Sequence, residues 1–194
     1  MIIHFNGMPG VGKLTIARQL ALCLNAHILD NHALINTVYA MGYEHGSDGY
    51  LKALSDLTRL VYEELLRPDA PKDILLTNAL VNESNADVER FEKVIAFAHA
   101  RKQIFVPILL TCTPEENLRR AVNHERSYKQ KLTNPDVLAE IHQKNYTFCH
   151  LPNSPYQITL DVTSLTPDQA VRTIFSCLQK IELSDSCAPS PSQG

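Results

Sequence analysis

The densest chemistry in the chain lies near its start, where Gly7-Met8-Pro9-Gly10-Val11-Gly12-Lys13 is followed by Leu14 and Thr15. The spacing is G-x-x-x-x-G-K. Its glycines accept backbone angles that other residues resist. The loop can therefore wrap a phosphate with its amides turned inward. A helix opening directly after it would add a partial positive charge. Lys13 would supply a point charge to the β- and γ-phosphates. The competing reading is a glycine-rich turn between a strand and a helix. An apolar run before the motif and an amphipathic stretch after it supply the context that the phosphate reading requires. Gly7, Met8, Pro9, Gly10, Val11, Gly12, Lys13, Leu14 and Thr15 are thus the candidate nucleotide-binding set, with ATP as the expected ligand. The hydroxyl that commonly follows the lysine as a magnesium ligand is replaced by Leu14, and the next hydroxyl is Thr15.

Three further groups could act with this loop. Asp30-Asn31-His32 follows the second apolar run. A carboxylate there could accept a proton from a substrate hydroxyl or hold a magnesium-bound water. Alternatively Asp30 or Asn31 caps the next helix. His32 could replace Asp30 as base, or have no role in chemistry. Asn78 ends the third run where large mechanical ATPases need an acid. Arg119, Arg120, Arg126, Lys129 and Lys131 follow the fourth run. Such cations stabilise the charge that spreads over a transferred phosphoryl group. A solvated charged face is the other reading. Their place in the chain resembles that of the arginine-bearing lid of small P-loop kinases, which implies Arg120 and Arg126 as phosphoryl clamps.

These residues need a scaffold, and the apolar pattern describes one. Short apolar runs at residues 2–6, 27–30, 74–80, 104–112 and 156–162 alternate with helical patterns. The fourth run is apolar almost throughout, as in a strand buried on both faces, although Pro107 within it cannot donate a ladder hydrogen bond. Helical stripes are Ile16, Leu20, Cys23 and Leu24; then Leu54, Leu57, Val61 and Leu65; then Val88, Phe91, Ile95 and Ala98; then Val171, Ile174, Phe175 and Leu178. Thr113-Pro114 and Thr166-Pro167 read as helix starts. This alternation predicts an α/β fold with a parallel sheet covered by helices on both faces.

At 194 residues the chain fits one domain. A formal charge of −3 and the lack of a dense basic run argue against a broad nucleic-acid surface. The odd cysteine count, five, without a C-x-x-C pair points to free thiols in a reducing compartment. No apolar stretch reaches the length of a membrane span, and no basic leader precedes the first run. The expected location is the cytoplasm. Residues 1–183 are expected as one domain and 184–194 as a disordered tail. The segment at residues 41–50 is either a substrate lip or an ordinary connection.

The phosphate loop resembles that of the adenylate kinase group, G-x-P-G-x-G-K-G-T, which shares the proline at Pro9. The resemblance implies that Thr15 meets the α-phosphate and that magnesium is held largely through water. Thr15 and Asp30 are the candidate metal contacts. Taken whole, the chain resembles small P-loop kinases of the shikimate kinase, gluconate kinase and chloramphenicol phosphotransferase type. It is similar above all to uncharacterised shikimate-kinase-like ATP-binding proteins. In these an Asn-His pair follows the second strand, here Asn31-His32. An Arg…Lys-Leu-Thr lid follows the fourth, here Arg126…Lys131-Leu132-Thr133. The resemblance implies a P-loop NTPase three-layer sandwich, a five-stranded sheet in the order 2-3-1-4-5, and a helical lid over about residues 119–135. It also implies acceptor binding by Asp30 and an anion contact from Arg59; His32 and Asn78, after the second and third runs, are further candidate acceptor contacts. Leu14 and Asn78 depart from the patterns of shikimate and nucleoside monophosphate kinases, so the acceptor stays unnamed.

The leading expectation is a small-molecule kinase using ATP and Mg2+, monomeric or homodimeric. The alternative is a nucleotide-binding regulatory module or slow ATPase with no acceptor. The guanine and switch motifs N-K-x-D and D-x-x-G are missing, which argues against a GTPase switch.

Overall fold

The computed structural model describes residues 1–121 and 134–186. The elements run β1 (Ile2–Gly7), α1 (Lys13–Leu24), β2 (His27–Asp30), α2 (Asn31–Ala40), α3 (Asp48–Leu65) and β3 (Ile74–Thr77). They continue with α4 (Asn85–Ala100), β4 (Phe105–Thr111), α5 (Pro114–Ala121), α6 (Pro135–Gln143), β5 (Ile158–Asp161) and α7 (Pro167–Ser186). The five strands form one parallel sheet in the order β2-β3-β1-β4-β5. This is the α/β architecture that the alternation of elements predicts and the strand order that the resemblance implies.

β1 is central and fully buried, so its alternating side chains feed two cores. Ile3 and Phe5 pack with Val106, Ile108 and Leu110, and with Ile16 and Leu20 of α1 and Ile174 and Leu178 of α7. Ile2 packs with Ile74, Leu76 and Phe105, and with Phe91, Val94 and Phe97 of α4. Each fully buried aliphatic side chain contributes roughly 1.5–3 kcal/mol. A smaller cluster of Leu34, Val38, Tyr50 and Leu54 joins α2 to α3. Three stripes bury as patterned, but the first differs. Cys23 is exposed, and Ala17 and Ala21 fill the sheet-facing positions.

Pro107 is accommodated inside β4 by the pairing parity. The carbonyl of Ile104 accepts from Ile2 of β1, whereas that of Thr111 accepts from Val162 beyond β5. Residue 107 therefore faces the β5 side, and β5 joins only at Ile108. The missing N–H costs no ladder bond.

The third strand is shorter than its apolar run. Pairing ends at Thr77, and the backbone polar groups of Leu80 bond to the Asn6 side chain instead. Asn6 also donates to Cys149 O, so this buried amide ties β1 to two crossing loops. Both Thr-Pro starts occur: Thr113 and Thr166 hydroxyls accept from Glu116 N and Gln169 N. α7 continues through Ser186, three residues into the segment expected as tail. α6 begins at an Asn134 cap that the sequence reading did not single out. Most of the expected lid, with Arg126, Lys129, Lys131, Leu132 and Thr133, lies outside the described residues.

Candidate nucleotide and acceptor cleft

The strands end together at Gly7, Asp30, Thr77, Thr111 and Asp161, and a cleft of about 980 Å3 opens at that edge. One side is the phosphate loop. Gly7 has φ +133, and a Cβ there would stand 2.3 Å from the carbonyl oxygen of Leu110, so only glycine lets β1 turn so close to β4. Gly12, at φ +109, is the N-cap of α1. It brings no side-chain cap, and the first turn of α1 holds no acidic residue. Ile16 N makes the first helical bond, to Gly12 O at 3.0 Å. The preceding amides have no helical acceptor, and with the helix dipole they form an anion-receiving site. The Lys13 ammonium rests on the loop itself, donating to Gly7 O at 2.6 Å and Met8 O at 2.9 Å.

The other side is built by β2, β3 and α4. The register pairs Asp30 with Thr77. The Thr77 hydroxyl donates to Asp30 Oδ1 at 2.6 Å. Asp30 does occupy the N-cap position of α2, yet its side chain makes no cap bond. Its carboxylate is held by Thr77 and lines the cleft. Asn31, His32 and Asn78 also line it. Asn78 Oδ1 accepts from His4 Nε2 at 3.0 Å. His4 is fully buried against the rings of Phe91 and Phe105, which also touch each other. Burial drives its pKa down to about 4, with Lys13 lowering it further against the raising effect of Asn78. His4 is therefore a neutral donor that orients the Asn78 amide. From residues 41–50, His45, Gly46 and Tyr50 reach the cleft, the His45 and Tyr50 ring centroids being 5.0 Å apart.

One expected residue stands elsewhere, and another is in the cleft but engaged. Arg59 is not among the residues lining the cleft. It is exposed on α3 and pairs with Glu63, one turn on, at 2.9 Å. Arg90 of α4 lines the cleft together with Asp30 and Asn78, joined to Asp87 at 3.0 Å. Sequence reasoning missed it, since a single helical arginine carries no sign of the face it occupies. Arg120 lines the cleft, but its guanidinium is engaged. It donates to Glu116 at 2.6 Å, Val11 O at 3.0 Å and Val162 O at 2.7 Å. In this arrangement it straps the loop rather than reaching a transferred phosphoryl. Arg119 lines the same cleft with a mostly exposed side chain, held by Glu116. Hydrogen bonds from both arginines keep the Glu116 carboxyl down at about 2.

The chain belongs to the AAA domain family, whose profile matches residues 3–143. That membership makes the loop a nucleotide-binding P-loop. No curated protein matches the chain in sequence. Among solved structures, a candidate kinase from Chloroflexus aurantiacus is similar at TM-score 0.65 and 16% identity, covering 92% of this chain and 96% of that one. A gluconokinase from Sinorhizobium meliloti is similar at TM-score 0.60 and 13% identity, covering 96% and 97%. A shikimate kinase from Bacteroides thetaiotaomicron is similar at TM-score 0.56 and 16% identity, covering 94% and 98%. At such low identities the structural match shows a shared fold alone, that of small P-loop kinases. Among the described residues no helix is long and apolar enough to cross a membrane.

Proposed function

We propose that the chain is an ATP-dependent phosphotransferase that moves the γ-phosphoryl group to a small hydroxylated or anionic acceptor, with residues 1–183 as a single kinase domain. One observation carries this reading: the anion-receiving loop and the Thr77-held carboxylate of Asp30 line a single cleft. A site that only held nucleotide would not require a fixed carboxylate across from the phosphates.

Lys13 and the amides from Gly7 to Thr15 would hold the triphosphate, with Lys13 leaving its loop carbonyls for the phosphates. Asp30 accepts the proton of the acceptor hydroxyl as that oxygen bonds to the γ-phosphorus and the bond to the β-phosphate oxygen breaks, leaving ADP. Arg90 meets an anionic group of the acceptor, and His32 and Asn78 supply its polar contacts. Arg126 is retained as a clamp on the resemblance alone. Among the described residues no cluster of three metal-ligating side chains occurs. Asp30 and Thr15 would hold a Mg2+ ion, which would neutralise phosphate charge. Asn78 in place of an acid is compatible with a small kinase and leaves room for the alternative of a binding-only module.

A panel of sugars, polyol acids and nucleosides, each with ATP and magnesium and followed by ADP release, separates the two. The proposal expects one class to raise ADP release well above the acceptor-free rate. A flat response across the panel establishes the binding-module reading instead.

A further inference from the structure

The amides of the phosphate loop can face a ligand only if the loop's carbonyls face elsewhere, and each buried carbonyl then needs a donor. Helix α5 supplies two. Asn117, whose surface is fully buried, donates from Nδ2 to Pro9 O at 3.0 Å. Arg120 donates from Nη1 to Val11 O at 3.0 Å. A buried amide can present either end, so something must orient Asn117. Its Oδ1 lies 3.0 Å from Nε2 of His142 on α6. Because the Asn117 nitrogen is committed to Pro9, its oxygen is the acceptor and His142 Nε2 carries the proton. The chain of contacts runs from α6 through α5 to the middle of the loop, and neither Asn117 nor His142 lines the cleft.

We propose that Asn117 and His142 are a positioning pair for nucleotide phosphates. They keep the Pro9 carbonyl turned into the protein, so that the loop is already shaped for an anion before ligand arrives. If that carbonyl could rotate toward the cleft, its negative end would oppose a phosphate, and binding would first have to reorder the loop. The idea rests on nucleotide binding by the loop and adds the residues that prepare it.

Calorimetric titration of the full chain with ADP and, separately, adenosine tests the pair. Asn117→Leu removes the donor at similar volume. ADP affinity should fall about tenfold or more, the scale of an orphaned buried carbonyl. Adenosine affinity, which engages no phosphate contact, should hold. His142→Leu should weaken ADP several-fold, and His142→Gln, which keeps an N–H donor, should restore most of that loss. If Asn117→Leu does not fold, the two His142 variants carry the test. ADP affinity unchanged in a folded Asn117→Leu or His142→Leu variant overturns the proposal. So does an equal loss for adenosine, or a glutamine variant no better than leucine. Wild-type protein that binds no ADP overturns both the proposal and the nucleotide reading beneath it.

Discussion

At Asp30 two roles compete for one carboxylate, and the structure weighs between them. Helix α2 starts directly after it, yet the side chain bonds to Thr77 rather than to helix amides. Asp30→Asn should therefore leave α2 and ATP binding nearly intact while lowering turnover about 10²–10⁴-fold, the usual contribution of a positioned base. Normal turnover in that variant would remove Asp30 from the chemistry. His4 makes a separate, titratable prediction. Its folded pKa of about 4 lies below the ordinary 6.5. Above pH 6.5 neither state is protonated and its contribution is whole. As pH falls toward 4 the unfolded chain takes up the proton first, so stability is lost through that window, up to about 3 kcal/mol. Urea unfolding of His4→Gln, which cannot titrate but can still donate to Asn78, should lose correspondingly less between pH 7 and pH 4. Parallel losses in both proteins would show that His4 is not the group responsible. Asp30 could be singled out from sequence because it follows an apolar run. The choice between Arg59 and Arg90 is harder, since both are helical arginines.

At the scale of elements, the phosphate loop depends on how β1 leaves the sheet. Gly7 turns against the backbone of Leu110, and no side chain fits between. Gly7→Ala combines that overlap with an unfavourable φ, and should cost about 3 kcal/mol or more in urea unfolding. A loss below about 0.5 kcal/mol would mean that β1 and β4 separate freely there. Strand and helix identities were legible because a run buried on both faces and an amphipathic stripe leave distinct periods. Where the third strand stops was not. Leu80 looks like strand by composition, but the Asn6 side chain, 74 positions earlier, captures its backbone. The strap from Arg120 to Val11 and Val162 is likewise a long-range contact that spacing along α5 does not reveal.

Across the whole molecule, five parallel strands bring their carboxyl ends to one edge, and β1 sits at the centre with the phosphate loop at its tip. This geometry lets residues from α1, β2, β3 and α4 line one cleft although they are spread over most of the first half of the chain. The parallel sheet was legible from the alternation of elements, and its strand order only through the family resemblance; the partners inside the cleft were not, because they meet only through the sheet register. All of the functional account passes through Lys13 and the loop it closes. The most direct measurement is an ATP titration of wild-type chain and Lys13→Ala in magnesium. The wild type should bind and the variant should lose at least about a hundredfold in affinity, as expected for a charged contact to phosphate lost from a preformed site. Equal affinity in the two proteins would contradict the account.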